Sequence, residues 1–234
     1  MVDIQTSNPF QPPTAEVLEQ AWDPSALPPV PWEDPIAYPG LWKRIGAMFS
    51  LLFSNPLELA DRIPVTDGLA PAWRFNLLMA VPYFAFLGLI FAFMGSMFAF
   101  LPKDPNMPKG VLAGVFAGEL LFVVAIFCVG IFVYGAIFHC ALWMWGGTRE
   151  GAGLGQTIRT CGYVWGFVNL GMFAPCVNVL VMLGGLVYLG MALARVHRTD
   201  TWRGICAMFT PVFLCCLAYA GLLLVGFTAG AFNH

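Results

Sequence analysis

Residues 111–145 read VLAGVFAGELLFVVAIFCVGIFVYGAIFHCALWMW. The stretch holds one carboxylate, Glu119, one histidine, His139, and no proline. At a rise of about 1.5 Å per residue it makes a helix of roughly 52 Å, against a bilayer core of about 30 Å. Such a helix crosses a membrane with turns to spare, or crosses it tilted. The rest of the chain is organised around it.

The composition agrees. Of 234 residues, 59% are apolar and only 10% charged, where a soluble domain carries about 25% charged residues. With several uncharged runs near the length of a span, this places the chain among membrane proteins. The net charge of −2 hides an asymmetry. Residues 1–40 hold six acidic side chains and no basic one, and all eleven lysines and arginines come later. No basic patch or helix exists, so nucleic acid is not an expected partner. The first thirty residues lack a positive n-region and an apolar h-region, so no signal peptide is expected. The seven cysteines form no C-x-x-C pair and sit in or beside apolar segments. They are expected to be free thiols that pack as small hydrophobes.

Residues 1–40 carry nine of the eighteen prolines. Proline removes backbone donors and blocks helix interiors, so this segment is expected to be an extended, disordered, acidic cytoplasmic tail. Asn8-Pro9-Phe10 matches the ligand of EH domains, and Pro28-Pro29-Val30-Pro31-Trp32 suits polyproline II. Both patterns are short enough to arise by chance.

From 41 to 54, Leu41, Ile45, Met48, Phe49, Leu52 and Phe53 recur at helical spacing. Lys43 and Arg44 lie near the start of this amphipathic helix, where they would meet anionic headgroups at the bilayer interface. Asn55-Pro56-Leu57-Glu58 then restarts a helix, with a capping asparagine, a proline at the first position and an acid that completes a capping box. Residues 41–74 form this interfacial layer, and the membrane domain covers 75–232.

Its spans are expected at about 75–101, 111–145, 155–174, 176–195 and 205–232. The uncharged stretch 160–194 is interrupted by Pro175 and Asn178. As one crossing it would put Arg195, Arg198 and Arg203 opposite Arg149 and Arg159; as a hairpin it puts all five on one side, which the positive-inside rule favours. Five spans then leave nine basic residues in the cytoplasm and only Lys103 and Lys109 outside. The N-terminus is expected inside and the C-terminus outside. The fold class is thus all-α: a polytopic membrane bundle of five transmembrane helices preceded by an amphipathic interfacial helix.

Candidate chemistry is sparse. Glu119 is the one acid inside a span, the kind of residue found in proton relays and cation sites. At the outer interface, two turns in, it would be a solvated acid. His139-Cys140 has no second histidine at helical spacing, and a structural zinc site needs about four ligands. Beside Trp143 and Trp145, His139 reads as part of an aromatic belt. No metal and no cofactor is expected. Three G-x-x-x-G pairs, at 114/118, 162/166 and 226/230, read as helix-packing faces, either within the bundle or in a homo-oligomer. No nucleophile elbow, zinc-protease motif or Walker loop occurs, so enzyme is the least supported class.

The order of these features resembles the Yip1 family of membrane proteins, over about residues 41–232. Ser54-Asn55-Pro56-Leu57-Glu58-Leu59 corresponds to the helix before the first span of its bacterial members. Gly146-Gly147 leads to Leu154-Gly155-Gln156-Thr157-Ile158-Arg159 and Tyr163, as the family's loop and helix do after the second span. The Pro175 turn and His197-x-x-Asp200-x-x-Arg203 also correspond. The D-L-Y-G-P signature of the eukaryotic members is absent, and no proline follows Tyr163 within its helix. Those members bind prenylated Rab GTPases, a role not transferred without the signature. The resemblance implies a cytoplasmic tail and five spans; the proline-rich tail and the missing signature point to a bacterial plasma membrane. The expected function is a non-enzymatic protein that organises membrane or recruits cytoplasmic or membrane protein partners at its cytoplasmic face. The alternative is a small-solute or ion transporter with a cavity near Glu119. The candidate functional residues are Glu119, His139, Gly146, Gly147, Arg149, Arg159, Tyr163 and Asn178, with Lys43 and Arg44 at the lipid interface.

Overall fold

The structure, a computed structural model, describes residues 27–64, 68–99, 110–148, 152–172 and 177–231. Among them it is all helical. After a single 3-10 turn at Pro31–Glu33 come seven helices: α1 (Leu41–Ser54), α2 (Pro56–Asp61), α3 (Ala70–Ala99), α4 (Val111–Met144), α5 (Leu154–Gly171), α6 (Asn178–Val196) and α7 (Thr201–Ala231).

Local chemistry sets several boundaries. Asn55 caps α2: its side chain accepts from Glu58 N at 3.3 Å and donates to the Glu58 carboxylate at 2.9 Å. The first bond is the N-cap half of a capping box; the second joins the two side chains, while the Asn55 backbone N–H donates to Leu51 O at 2.9 Å. At the end of α4, Gly147 N donates to Leu142 O at 2.8 Å and Gly146 N to Trp143 O at 2.9 Å. Gly146 has φ +63°. This is a Schellman stop, whose left-handed position glycine takes without strain. A Cβ on Gly147 would lie 2.5 Å from Leu142 Cδ1, so the second glycine is needed for space.

Four helices are long and apolar enough to cross a membrane: Ala70–Met97, Gly114–Met144, Asn178–Val196 and Thr201–Leu223. Their open sides are apolar. Leu89, Phe93, Leu121, Phe122, Leu180 and Leu222 are each 65–71% exposed. Water would penalise such a surface, while lipid does not. Four of the five expected spans meet this measure. The fifth, expected at 155–174, folds as α5 and is different in kind. It carries Gln156, Thr157, Arg159 and Thr160, and thirteen of its eighteen residues are buried. The bundle wraps α5 instead of presenting it to lipid.

Packing around α5 follows from small residues. A Cβ on Gly162 would come within 2.9 Å of Ala72 Cβ, and one on Gly166 within 2.7 Å of the Phe75 ring. The 162/166 pair therefore seats α3 against α5. Gly114 and Gly118 face open space; the side-chain surroundings of 226 and 230 lie outside the described residues. Gly171 meets Val181 and Gly185 meets Val168, so α5 and α6 run antiparallel as a hairpin. Among the described glycines the least room is between α6 and α7, where a Cβ on Gly204 would sit 2.1 Å from Gly190 O. Beyond this crossing α7 leaves the bundle, and every residue from 212 to 223 is exposed.

The N-terminal segment differs from expectation. Residues 1–26, with the Asn8-Pro9-Phe10 pattern, lie outside the described residues. Residues 27–40 are not a free tail: Val30 and Pro31 are fully or nearly buried. Trp32 stacks edge-on to Phe75 at 5.3 Å, and its Nε1 donates to Pro71 O at 2.8 Å. The core at this end joins Val30, Met48, Leu59, Phe75, Tyr163 and Phe167. Val30, Pro31 and Trp32 of the proline-rich stretch are thus occupied within their own chain, while Pro28 and Pro29 are exposed.

Candidate functional site

The first half of α5 places polar side chains where the bundle is densest. Arg159 is 1% exposed. Its Nη1 donates to Gly68 O at 2.6 Å, and its Nη2 is ion-paired with the Glu33 carboxylate. One turn on, Tyr163 donates its hydroxyl hydrogen to the other Glu33 oxygen. Gln156, one turn back, donates to Pro64 O at 3.1 Å. The carboxylate thus arrives from a segment more than 120 residues away and lands between a guanidinium and a phenol. The arrangement clamps residues 30–33 onto the helix. Charge-assisted bonds of this kind are the strong ones.

A second network lies on the α4 side. Thr157 Oγ1 is 2.9 Å from His139 Nδ1 and 2.8 Å from His197 Nε2, and the two imidazoles are 5.7 Å apart. His197 caps α6 and is fully buried. Burial, with His139 beside it, holds the His197 imidazole down to about 4, so it is neutral at neutral pH. Among the described residues no three His, Cys, Asp or Glu side chains are placed to hold a metal ion. Nearby, Arg195 pairs with Asp61 at 3.9 Å, Arg203 bonds Gly146 O at 2.9 Å, and Tyr188 donates to Pro56 O at 2.9 Å. Burial raises the Asp61 carboxyl above its usual range, against the pull of Arg195. The contacts of Arg62, Arg159, Arg195 and Arg203 gather these arginines at one end of the bundle. Trp143, Trp145 and Trp202 are exposed at the same end.

The predicted residues divide as follows. Arg159 and Tyr163 meet in one cluster, His139 lies in the adjoining network, and Gly146 and Gly147 stop the helix between them and α5. Arg149 lies outside the described residues. Asn178 opens α6 with a buried Oδ1 that has no hydrogen-bond partner among the described residues. Glu119 stands apart on the exposed surface of α4. Lys43 is exposed, while Arg44 lies over the Trp32 ring at 5.4 Å, covering the docked segment. Sequence reasoning missed Glu33 and Thr157, whose partners are distant in sequence. It also missed Asn76 and Asn169, each a lone amide in an apolar run, which is the signal that marks them.

No family model matches the chain, nor does any curated protein or solved structure.

Proposed function

We propose that the chain is a non-enzymatic, Yip1-like membrane protein that organises membrane or recruits protein partners at its basic end. One observation supports this most: Glu33, Arg159, Tyr163, Thr157 and His197 spend their polar groups on one another inside a closed, glycine-packed end. A solute carrier needs a polar, hydrated path between its spans. Glu119, the residue on which transport would depend, is exposed on the side of α4.

In this reading the basic end faces the cytoplasm of a bacterial cell. α1 lies in the interface, with Lys43 at the headgroups and the exposed Trp42 and Phe53 in lipid. The α5–α6 hairpin completes five crossings, so the C-terminus is outside. Cysteine labelling in intact cells tests the arrangement, after the other native cysteines are replaced. Cysteine at Asn106 and native Cys176 should react with an impermeant reagent, and cysteine at Gly151 should not. A silent Cys176 with a reactive Asn106 position would refute the five-crossing count alone.

Function is tested in two arms. Proteoliposomes should show no ion or solute flux that Glu119→Gln abolishes. Removal of residues 1–26 should change the proteins labelled by a proximity enzyme fused at the N-terminus. A flux lost in Glu119→Gln would replace this reading with transport.

A further inference from the structure

At the α3–α5 contact two asparagines are buried in an apolar setting. Asn76 is 3% and Asn169 is 7% exposed. Asn169 Nδ2 donates to Asn76 Oδ1 at 2.9 Å. That bond uses one donor and one acceptor of two primary amides. A primary amide carries two N–H donors and an oxygen with two lone pairs, so this single bond leaves both side chains with donors and lone pairs to offer a ligand. Beside them the buried indole Nε1 of Trp165 has no hydrogen-bond partner among the described residues. A buried donor without a partner is unfavourable, and proteins retain one where something else completes the bond.

Both side chains line a cavity of about 200 Å³. Its other walls include Ile126, Phe127, Gly130 and Tyr134 of α4, Trp165 of α5 and Met182 of α6. Three features define what fits. No charged side chain lines it, so an ionised head group would enter without a counter-charge, a costly transfer. Phe127, Tyr134 and Trp165 offer aromatic faces to a flat group, and Tyr134 and Trp165 lie 5.9 Å apart. The size exceeds that of a cavity of about 150 Å³ that accommodates benzene. Of the walls, Ile126 is 41% and Tyr134 45% exposed, while the asparagines are almost sealed. The mouth is therefore on the lipid-facing side of α4, and the amides lie at the back. Gly130 leaves the wall open where a larger residue would press on Tyr134, whose ring is 3.2 Å from its added Cβ.

We propose that this cavity binds the head of a neutral lipophile: a ring with carbonyl oxygens, carried on a hydrocarbon tail that stays in the bilayer. A carbonyl oxygen accepts from the free asparagine N–H, the ring lies among Phe127, Tyr134 and Trp165, and the tail leaves past Ile126. A quinone carried on an alkyl chain has this chemistry. A phospholipid head does not, being charged. The site is independent of the recruiting role proposed for the basic end.

The probe is a decyl-substituted benzoquinone, added to the full-length protein in nanodiscs. Quinones quench indole fluorescence, and Trp165 is in the wall. A saturable quenching phase is expected above the linear phase from probe dissolved in lipid. Trp165→Phe should remove that phase. Replacing both amides, Asn76→Leu with Asn169→Leu, leaves no stranded partner and should weaken binding by about tenfold. Gly130→Phe, which fills the cavity, is the second variant and should abolish the phase. Decylbenzene, which has the ring and chain but no carbonyl and does not quench, should relieve the saturable phase only at concentrations at least tenfold above those at which the quinone saturates it. Linear quenching alone, or a saturable phase that survives Trp165→Phe, would overturn the site. Equal competition by decylbenzene, or unchanged affinity in the asparagine variant, would overturn the role of the amides.

Discussion

Glu33→Ala is the sharpest probe of how the N-terminal segment is held. The substitution removes the counter-ion of an arginine that is 1% exposed, and with it the acceptor for the Tyr163 hydroxyl. Breaking a buried ion pair from one side costs about 3–5 kcal/mol, because the surviving charge stays buried. Arg159 keeps its bond to Gly68 O, and the Glu33 side chain is itself 13% exposed, so water can reach the gap. Both place the expected loss at the lower end, about 3 kcal/mol. For a chain of this size each kcal/mol moves the midpoint by about 2–4 °C, so the melting temperature should fall by roughly 6–12 °C. The assay is thermal unfolding in detergent, followed by tryptophan fluorescence. Two further variants divide the effect. Tyr163→Phe removes one hydrogen bond and should cost about 1 kcal/mol. Glu33→Leu with Arg159→Met removes both charges and should recover most of the loss, since apolar replacements of buried pairs are often neutral. A loss below about 1 kcal/mol in Glu33→Ala, the usual value of an exposed pair, would refute the reasoning. Arg159 would then be solvated, and residues 30–33 would not be docked.

Acid should weaken the fold through His197. Its imidazole titrates near 6.5 when unfolded and about 4 when folded, so its contribution is complete above pH 6.5 and is lost as pH falls to about 4. The full loss is about 3 kcal/mol, and a melting curve in His197→Gln should be flatter across that window. Gly204→Ala should be among the most damaging small substitutions, at about 3 kcal/mol or more, because its Cβ meets the Gly190 carbonyl and forces α6 from α7. Gly114→Ala, facing open space, should leave the melting temperature unchanged in the same measurement. A peptide of residues 41–54 should gain helicity on anionic vesicles and lose much of its binding in high salt, as circular dichroism would record, because Lys43 and Arg44 act through a screened field.

Local sequence decided a great deal. Residues 111–145 announce a membrane-length helix because they hold a single carboxylate, near one end, and no proline, and the helix observed is Val111–Met144. Asn55 caps α2 as its place before Pro56 requires, though Glu58 meets its side-chain amide and not its backbone N–H, and Gly146-Gly147 stop α4 because a left-handed turn favours glycine. Charge alone indicated that 160–194 folds back on itself, and α5 and α6 do run antiparallel. These are short-range or compositional effects, so a linear string carries them.

Tertiary structure decided where each helix sits. An apolar helix packed in protein and one facing lipid read alike, because both lack charge. Only the fold shows that α5 is the enclosed helix while α3, α4, α6 and α7 turn apolar sides outward. Glu33 reads as one more acid in a proline-rich tail, since nothing local reveals that Arg159 lies buried in wait for it. The same holds for Asn76 and Asn169, 93 residues apart. Each is an unremarkable polar residue until two helices bring the amides together at the back of a cavity. Composition and local spacing are written in the chain, but the pairing of distant polar groups depends on which helices become neighbours, and that is fixed only when the bundle closes.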